Sequence, residues 1–208
     1  MADDSVDLIL ASTSRYRAEL LRRLRVPFVQ RAPEVDERRR GGESPRDLAL
    51  RLAVEKARAV ARTAPGAWVI GSDQVCMLGD EALGKPGSHA AAVEQLQRLS
   101  GHQAVFHTAV CLIAPDGTQQ LRDCPTEVAF RRLSLTEIEA YVRLDQPYDC
   151  AGSARAEALG PALLEHMRSD DPTALIGLPL IALCDMLRRS GYDLLDRAQH
   201  SAQRPAQV

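Results

Sequence analysis

The chain has 208 residues and almost no lysine: Lys56 and Lys85 stand against 24 arginines. It also lacks any apolar run of the roughly 18 residues a membrane-spanning helix needs. The opening MADDSVDLILAS has neither a basic n-region nor a full apolar h-region, so it does not read as a signal peptide. The five cysteines, Cys76, Cys111, Cys124, Cys150 and Cys184, show no C-x-x-C spacing and read as reduced thiols of a cytoplasmic protein. G-x-x-x-x-G-K-[ST] and G-x-S-x-G are both missing, which argues against a P-loop and a serine hydrolase elbow. His89, His102, His107, His166 and His200 have no metal-ligand spacing and read as structural or exposed. A formal net charge of −2 lacks the basic footprint of a nonspecific nucleic-acid or membrane binder. The scarcity of lysine has two readings. One is arginine-biased coding with two survivors. The other is that a compact ammonium is needed at those two places, where a planar guanidinium cannot serve.

What is present is a globular composition, 45 % hydrophobic, of a length suited to one domain. DLILAS reads as a short buried strand, and Ser14 as the cap of a helix from about Arg15 to Arg25. PFVQRAP is a second strand candidate. Ser44-Pro45 starts a helix running to about Thr63, with Leu48, Leu52 and Val60 on its apolar stripe. AWVIGSDQVCML reads as strand, polar interruption, strand. HAAAVEQLQRLSG is an amphipathic helix, and a hairpin is expected around Pro115-Asp116-Gly117. Ser134 starts another helix, DCAGSARAEALG is loop-like, and PLIALCDMLRRSGY is a C-terminal helix. Residues 1–196 are expected to form a single domain and 197–208 a disordered tail. Strand–helix alternation followed by a hairpin predicts an α/β protein with a mixed sheet.

Three polar clusters could carry chemistry. In ASTSRYR, the hydroxyls of Ser12 and Ser14, a helix N-terminus and Arg17 would suit a phosphate; the plainer reading is a capped helix with a solvated arginine. In IGSDQV, Asp73 interrupts an apolar strand at a sheet edge or cleft, where a carboxylate can take a proton or help hold a metal; otherwise it is a strand-ending turn residue. PEVDE supplies Glu34, Asp36 and Glu37, oxygen ligands of the kind Mg²⁺ or Mn²⁺ takes, or else a charged surface loop.

Together LILASTSRYR, APEVDE, SPRDLALRLAVEKA, VIGSDQV, GKP, CAGSARAEALG and LIGLPLIAL, in that order, resemble the Maf family of septum-formation-inhibitor-like nucleotide pyrophosphatases, from about Leu8 to Leu195. The resemblance implies an α/β fold with an elongated twisted mixed sheet flanked by helices and two lobes around a central cleft. It implies metal-dependent hydrolysis of a nucleoside triphosphate to monophosphate and diphosphate, with Mg²⁺ or Mn²⁺. By motif position it assigns Ser12, Arg17, Glu37, Lys56, Asp73 and Lys85 to the site, with Asp73 as proton acceptor and Glu37 toward the metal. Both lysines fall on site positions. The family often carries two arginines where this chain has Arg17 and Ala18. Tyr16, Gln74 and Glu157 match the 7-methyl-GTP subgroup, with tyrosine in place of the more usual tryptophan. An aromatic face attracts the cationic methylated base by roughly 0.5–2 kcal/mol, and Glu157 could accept from its N–H donors. A dTTP/UTP pyrophosphatase of the same fold and a non-catalytic nucleotide-binding regulator of cell division are the rivals. No nucleic-acid or membrane partner is expected, and a homodimer is among the assemblies allowed.

Overall fold

A computed structural model describes residues 7–203. Strand β1 (Leu8–Ala11) is wholly buried and runs parallel to both neighbours, β2 (Val29–Arg31) and β3 (Trp68–Leu78). Parallel pairing needs long crossovers, and helices α1 (Arg15–Arg22) and α2 (Pro45–Ala61) supply them. The rest is antiparallel: β4 (Glu81–Leu83), β5 (Gln103–Ile113), β6 (Gln119–Phe130) and β7 (Leu164–Ser169). Strand order is β2-β1-β3-β5-β6-β7, with β4 also on β3, so the sheet is mixed and seven-stranded as an α/β protein requires. Helices α3 (His89–Leu99), α4 (Leu135–Asp145), α5 (Leu180–Arg189) and α6 (Leu194–Gln203) complete the chain.

Local chemistry explains the helix starts. Ser14, Ser44, Ser88 and Ser134 each accept a hydrogen bond from a backbone N–H of the first turn, and Ser134 with Glu137 closes a capping box. The β5–β6 hairpin turns where expected, with Gly117 at φ 85° and the Thr118 N–H donating to Asp116 Oδ1 at 2.8 Å.

Long strands split the core in two. Ile70, Val110 and Leu112 join β1, α1 and α5 in one cluster, while Cys76, Ala104 and Phe106, from the far ends of the same strands, join α3 and α4 in another. Helix α2 covers the opposite face through Leu48, Leu52, Ala53 and Ala57 against Val75, Ala109 and Cys111. Its approach is close: a Cβ on Gly71 would meet the Ala53 carbonyl oxygen at 2.2 Å and the Ala57 backbone nitrogen at 2.6 Å.

Two expectations need correction. The polar residues at 72–74 do not interrupt a strand, because β3 runs unbroken for 11 residues, paired to β5 from Val69 to Met77. Side-chain polarity does not break a ladder made by the backbone. The segment 197–203 is not a disordered tail but the body of α6. Arg197 Nη1 reaches both Asp7 carboxylate oxygens at 2.8 and 2.7 Å, its guanidinium lies 5.3 Å from the Trp68 ring and 4.3 Å from Tyr192, and Ala198 packs on the first core. Those partners are remote in sequence, so a local pattern could not show them. The rest of the expected tail, 204–208, lies outside the described residues.

Candidate active site

The register of β3 creates the site. On the flank away from β5, β1 covers β3 as far as Gly71, and β4 pairs with it again from Cys76. Between them, among the described residues, 72–75 have no strand on that side. Strand alternation sends Asp73 toward α2 and sends Ser72 and Gln74 to the other face. A cavity of about 430 Å³ opens at this gap, where β1 ends and α1 begins.

On the α2 face, Lys56 is buried, 5 % exposed, one turn beyond Leu52. Its Nζ donates to Asp73 Oδ1 at 2.6 Å and lies 2.7 Å from Glu37 Oε1. Burial alone would push the Glu37 carboxyl up, but the Lys56 hydrogen bond and charge, aided by Lys85 and Arg17, hold it below its ordinary value. Of the acidic trio, Glu37 alone lines the cavity; Asp36 is turned to Arg38 at 2.7 Å, and Glu34 faces a separate groove. Asp73 sits behind Lys56, 8 % exposed. Exposed Lys85, just past β4, also lines the cavity.

The loop from β1 into α1 forms the next wall. Ser12 Oγ accepts from the Ser14 N–H at 3.1 Å and from Arg17 Nη1 at 3.4 Å, while Ser14 Oγ accepts from the Arg17 N–H at 3.4 Å. Arg17 Nε donates to the Gly177 carbonyl at 2.9 Å, which also accepts from Ser72 Oγ at 3.0 Å. Burial pulls the Arg17 guanidinium down from its ordinary value, against the nearby charges of Asp73 and Glu37. A helix N-terminus with hydroxyls and a fixed guanidinium is suited to an anion.

Tyr16, Gln74 and Glu157 line the same cavity. Gln74 Nε2 donates to Thr108 Oγ1 and to the carbonyls of Ala174 and Leu175, all within 3.0 Å, so its orientation is fixed and its carbonyl oxygen is left as the acceptor. The Tyr16 hydroxyl donates to Asp149 at 3.1 Å and accepts from Arg15 at 2.7 Å. Burial pushes that hydroxyl up to about 12, with the Arg15 hydrogen bond opposing.

The ten expected residues therefore converge: nine line the cavity, and Asp73 is tied to it through Lys56. The sequence reading gave no role to Arg15, Asp149 and Cys150, which line the cavity, to Arg155, which touches Tyr16 and Glu157, or to the 174–177 turn. The last carried a legible sign, the Gly-Leu-Pro after Ile176, which turns the chain with Gly177 at φ 119°. Cys150 lines the cavity as a thiol raised by burial to about 12. Two hard carboxylate oxygens, from Glu37 and Asp73, converge on one cation, Lys56. Among the described residues no group of three or more His, Cys, Asp and Glu is arranged to hold a metal. Glu37 and Asp73 are the residues here that could offer hard oxygen ligands to Mg²⁺ or Mn²⁺, and phosphate oxygens would have to complete the shell.

A mixed sheet with a cleft of cations and carboxylates beyond the end of its parallel strand β1 defines the class, an α/β protein with a charged cavity where such sheets place their sites. The family can be stated as well. The model of the Maf-like proteins matches residues 7–190, and the chain belongs to the Maf family. It is 57 % identical to the 7-methyl-GTP pyrophosphatase of Thiobacillus denitrificans, over 94 % of this chain and 98 % of that one. It is 55 % identical to the 7-methyl-GTP pyrophosphatase of Cupriavidus metallidurans, over 92 % and 96 %. It is 57 % identical to that of Bordetella pertussis, over 90 % and 94 %.

Proposed function

We propose that this chain is a pyrophosphatase that hydrolyses 7-methyl-GTP to 7-methyl-GMP and diphosphate. The observation that carries it is one cavity lined together by Arg17, Lys56 and Lys85 and by Tyr16, Gln74 and Glu157. The first three suit a triphosphate and the last three a methylated guanine. The near-complete likeness to relatives named 7-methyl-GTP pyrophosphatase supports the same substrate.

Water attacks the α-phosphorus. Asp73 takes its proton, the bond from that phosphorus to the bridging oxygen breaks, and diphosphate leaves with the bonding electrons. Lys56, fixed between Asp73 and Glu37, and Lys85 and Arg17 stabilise the charge that builds on the phosphates. Ser12 and Ser14 hold the α1 N-terminus toward them. Glu37 would hold a Mg²⁺ or Mn²⁺ ion, which supplies Lewis-acid neutralisation of phosphate charge. At the base, Tyr16 offers an aromatic face to the cationic ring, and Gln74 and Glu157 offer acceptors to guanine N–H donors. The five cysteines are free thiols, which supports a cytoplasmic setting.

The test is kcat/KM on 7-methyl-GTP, GTP, dTTP and UTP, with diphosphate detected, for wild type, Tyr16→Ala and Glu157→Gln. Wild type should prefer 7-methyl-GTP. Tyr16→Ala should hurt 7-methyl-GTP more than GTP, and Glu157→Gln should cost either guanine nucleotide more than UTP. A wild-type preference for dTTP or UTP defeats the substrate assignment, and an equal loss on all four nucleotides defeats the base-recognition roles.

A further inference from the structure

Tyr16 and Glu157, the groups that would receive a cationic base, are both already occupied by a cation of the chain itself. Arg155 Cζ lies 5.5 Å from the Tyr16 ring centroid, which Arg15 Cζ also approaches at 4.7 Å, and Arg155 Nε donates to Glu157 Oε1 at 3.3 Å, so that Arg155 alone bridges ring and carboxylate. Guanidinium and N7-methylated guanine are alike in the features that matter here: each is flat, delocalised, positively charged and edged with N–H donors. An aromatic face beside a carboxylate suits either one.

The other end of this guanidinium already touches a second acidic residue, which it could engage more fully. Arg155 Nη1 donates to the Asp145 carbonyl at 3.0 Å and stands 3.6 Å from Asp145 Oδ1. The Asp145 side chain is only 9 % exposed, and its Oδ2 is buried with no hydrogen-bond partner. A buried carboxylate oxygen without a donor is unfavourable, so a fuller Arg155–Asp145 pairing is a stabilising destination. The move needs side-chain rotation alone. The Arg155 backbone is fixed at both ends, its N–H donating to Tyr141 Oη at 3.0 Å and its carbonyl accepting from the Gly160 N–H at 2.9 Å.

We propose that Arg155 is an intramolecular competitor for the base subsite: it holds Tyr16 and Glu157 in the free protein and moves onto Asp145 when a cationic base enters. This rests on the 7-methyl-guanine assignment above. A cationic base replaces Arg155 charge for charge on Glu157, and the competitor lowers apparent affinity by the fraction of time it holds the subsite. Occupancy of about nine-tenths would raise KM about tenfold.

The test is KM and kcat for 7-methyl-GTP and UTP with wild type, Arg155→Met, Arg155→Gln and Asp145→Asn, with inhibition by inorganic tripolyphosphate as the readout of the phosphate contacts. Removing the competitor should lower KM for 7-methyl-GTP about five- to tenfold in both Arg155 variants, with tripolyphosphate inhibition unchanged. Asp145→Asn, which weakens the destination, should move KM the opposite way. The two Arg155 variants cover each other if one folds poorly, and Asp145→Asn gives an independent sign. If Arg155 merely braces its loop or binds substrate directly, KM rises or kcat falls in the Arg155 variants, and that outcome overturns the proposal. A wild type that prefers 7-methyl-GTP while both Arg155 variants keep its KM overturns this inference alone; a wild type that prefers UTP overturns the base assignment and this inference with it.

Discussion

Asp73, the proposed proton acceptor, shows how little separates a structural residue from a candidate catalytic one in sequence. It sits in a polar Ser-Asp-Gln triplet inside an otherwise apolar strand, and the backbone treats it as one more strand residue. What sets it apart is the 2.6 Å contact with a buried lysine arriving from α2. Asp73→Asn keeps the shape and leaves Lys56 an acceptor, with Glu37 as the remaining charge, but it removes the proposed base. Steady-state turnover should fall at least about a hundredfold, the scale of a lost general base, while the thermal midpoint changes little. Near-normal turnover would remove Asp73 from the chemistry. The same contact answers the puzzle of the two lysines. Lys56 Nζ sits between two carboxylates in a buried space where a compact ammonium fits and a fork of five donors would leave some unpaired. That need was legible as a residue-type anomaly. Arg155 was not legible, because one arginine among 24 carries no such mark.

At the scale of elements, α2 brings Lys56 to the site, and its start is held by charge as well as by Ser44. Glu43 meets Arg51 through both oxygens, Nε to Oε1 at 2.6 Å and Nη2 to Oε2 at 2.9 Å, and Arg51 also donates to the Arg38 carbonyl at 3.0 Å. This network ties the loop bearing Glu37 onto α2. Chiefly through the Arg51 hydrogen bonds, and against burial, the Glu43 carboxyl is drawn from 4.5 to about 2. A carboxyl lowered in the folded state adds stability that is complete above its unfolded value and fades as pH falls through the folded one. Glu43→Gln should therefore lower the thermal midpoint at neutral pH and flatten its dependence on pH between about 4.5 and 2. A melting series across that range checks it; unchanged slopes would mean the pair is inert. The helix itself was plain in the sequence, from Ser44-Pro45 and the Leu48, Leu52, Val60 stripe. Strands β4 and β7 were not: β4 has only three residues and β7 six of mostly exposed side chains, and their pairing is set by β3 and β6.

For the whole molecule, the two cores imply a division of labour. Helix α6 closes the first core through Arg197, Asp7, Trp68 and Tyr192 and lends no residue to the cavity. Arg197→Ala should lower the thermal midpoint by roughly 2–6 °C, the scale of a partly exposed ion pair and its ring contacts in a chain this size, while kcat/KM on 7-methyl-GTP stays near wild type. Loss of activity at full folding would show that the lobes communicate. The architecture was legible as α/β from strand–helix alternation, but the α6 clasp joins the two ends of the described chain and has no local signature. At Gly71 the obstacle to a side chain is main chain, the Ala53 carbonyl and the Ala57 amide, not a side chain that can swing aside. Every amino-acid replacement open to a glycine codon adds a Cβ there. Position 71 thus has no neutral neighbour in mutational space, whereas Gly41 and Gly84, with open space around them and ordinary φ, are free to drift. The spacing of Lys56 from Asp73 is guarded by a buried residue that lines no part of the cavity.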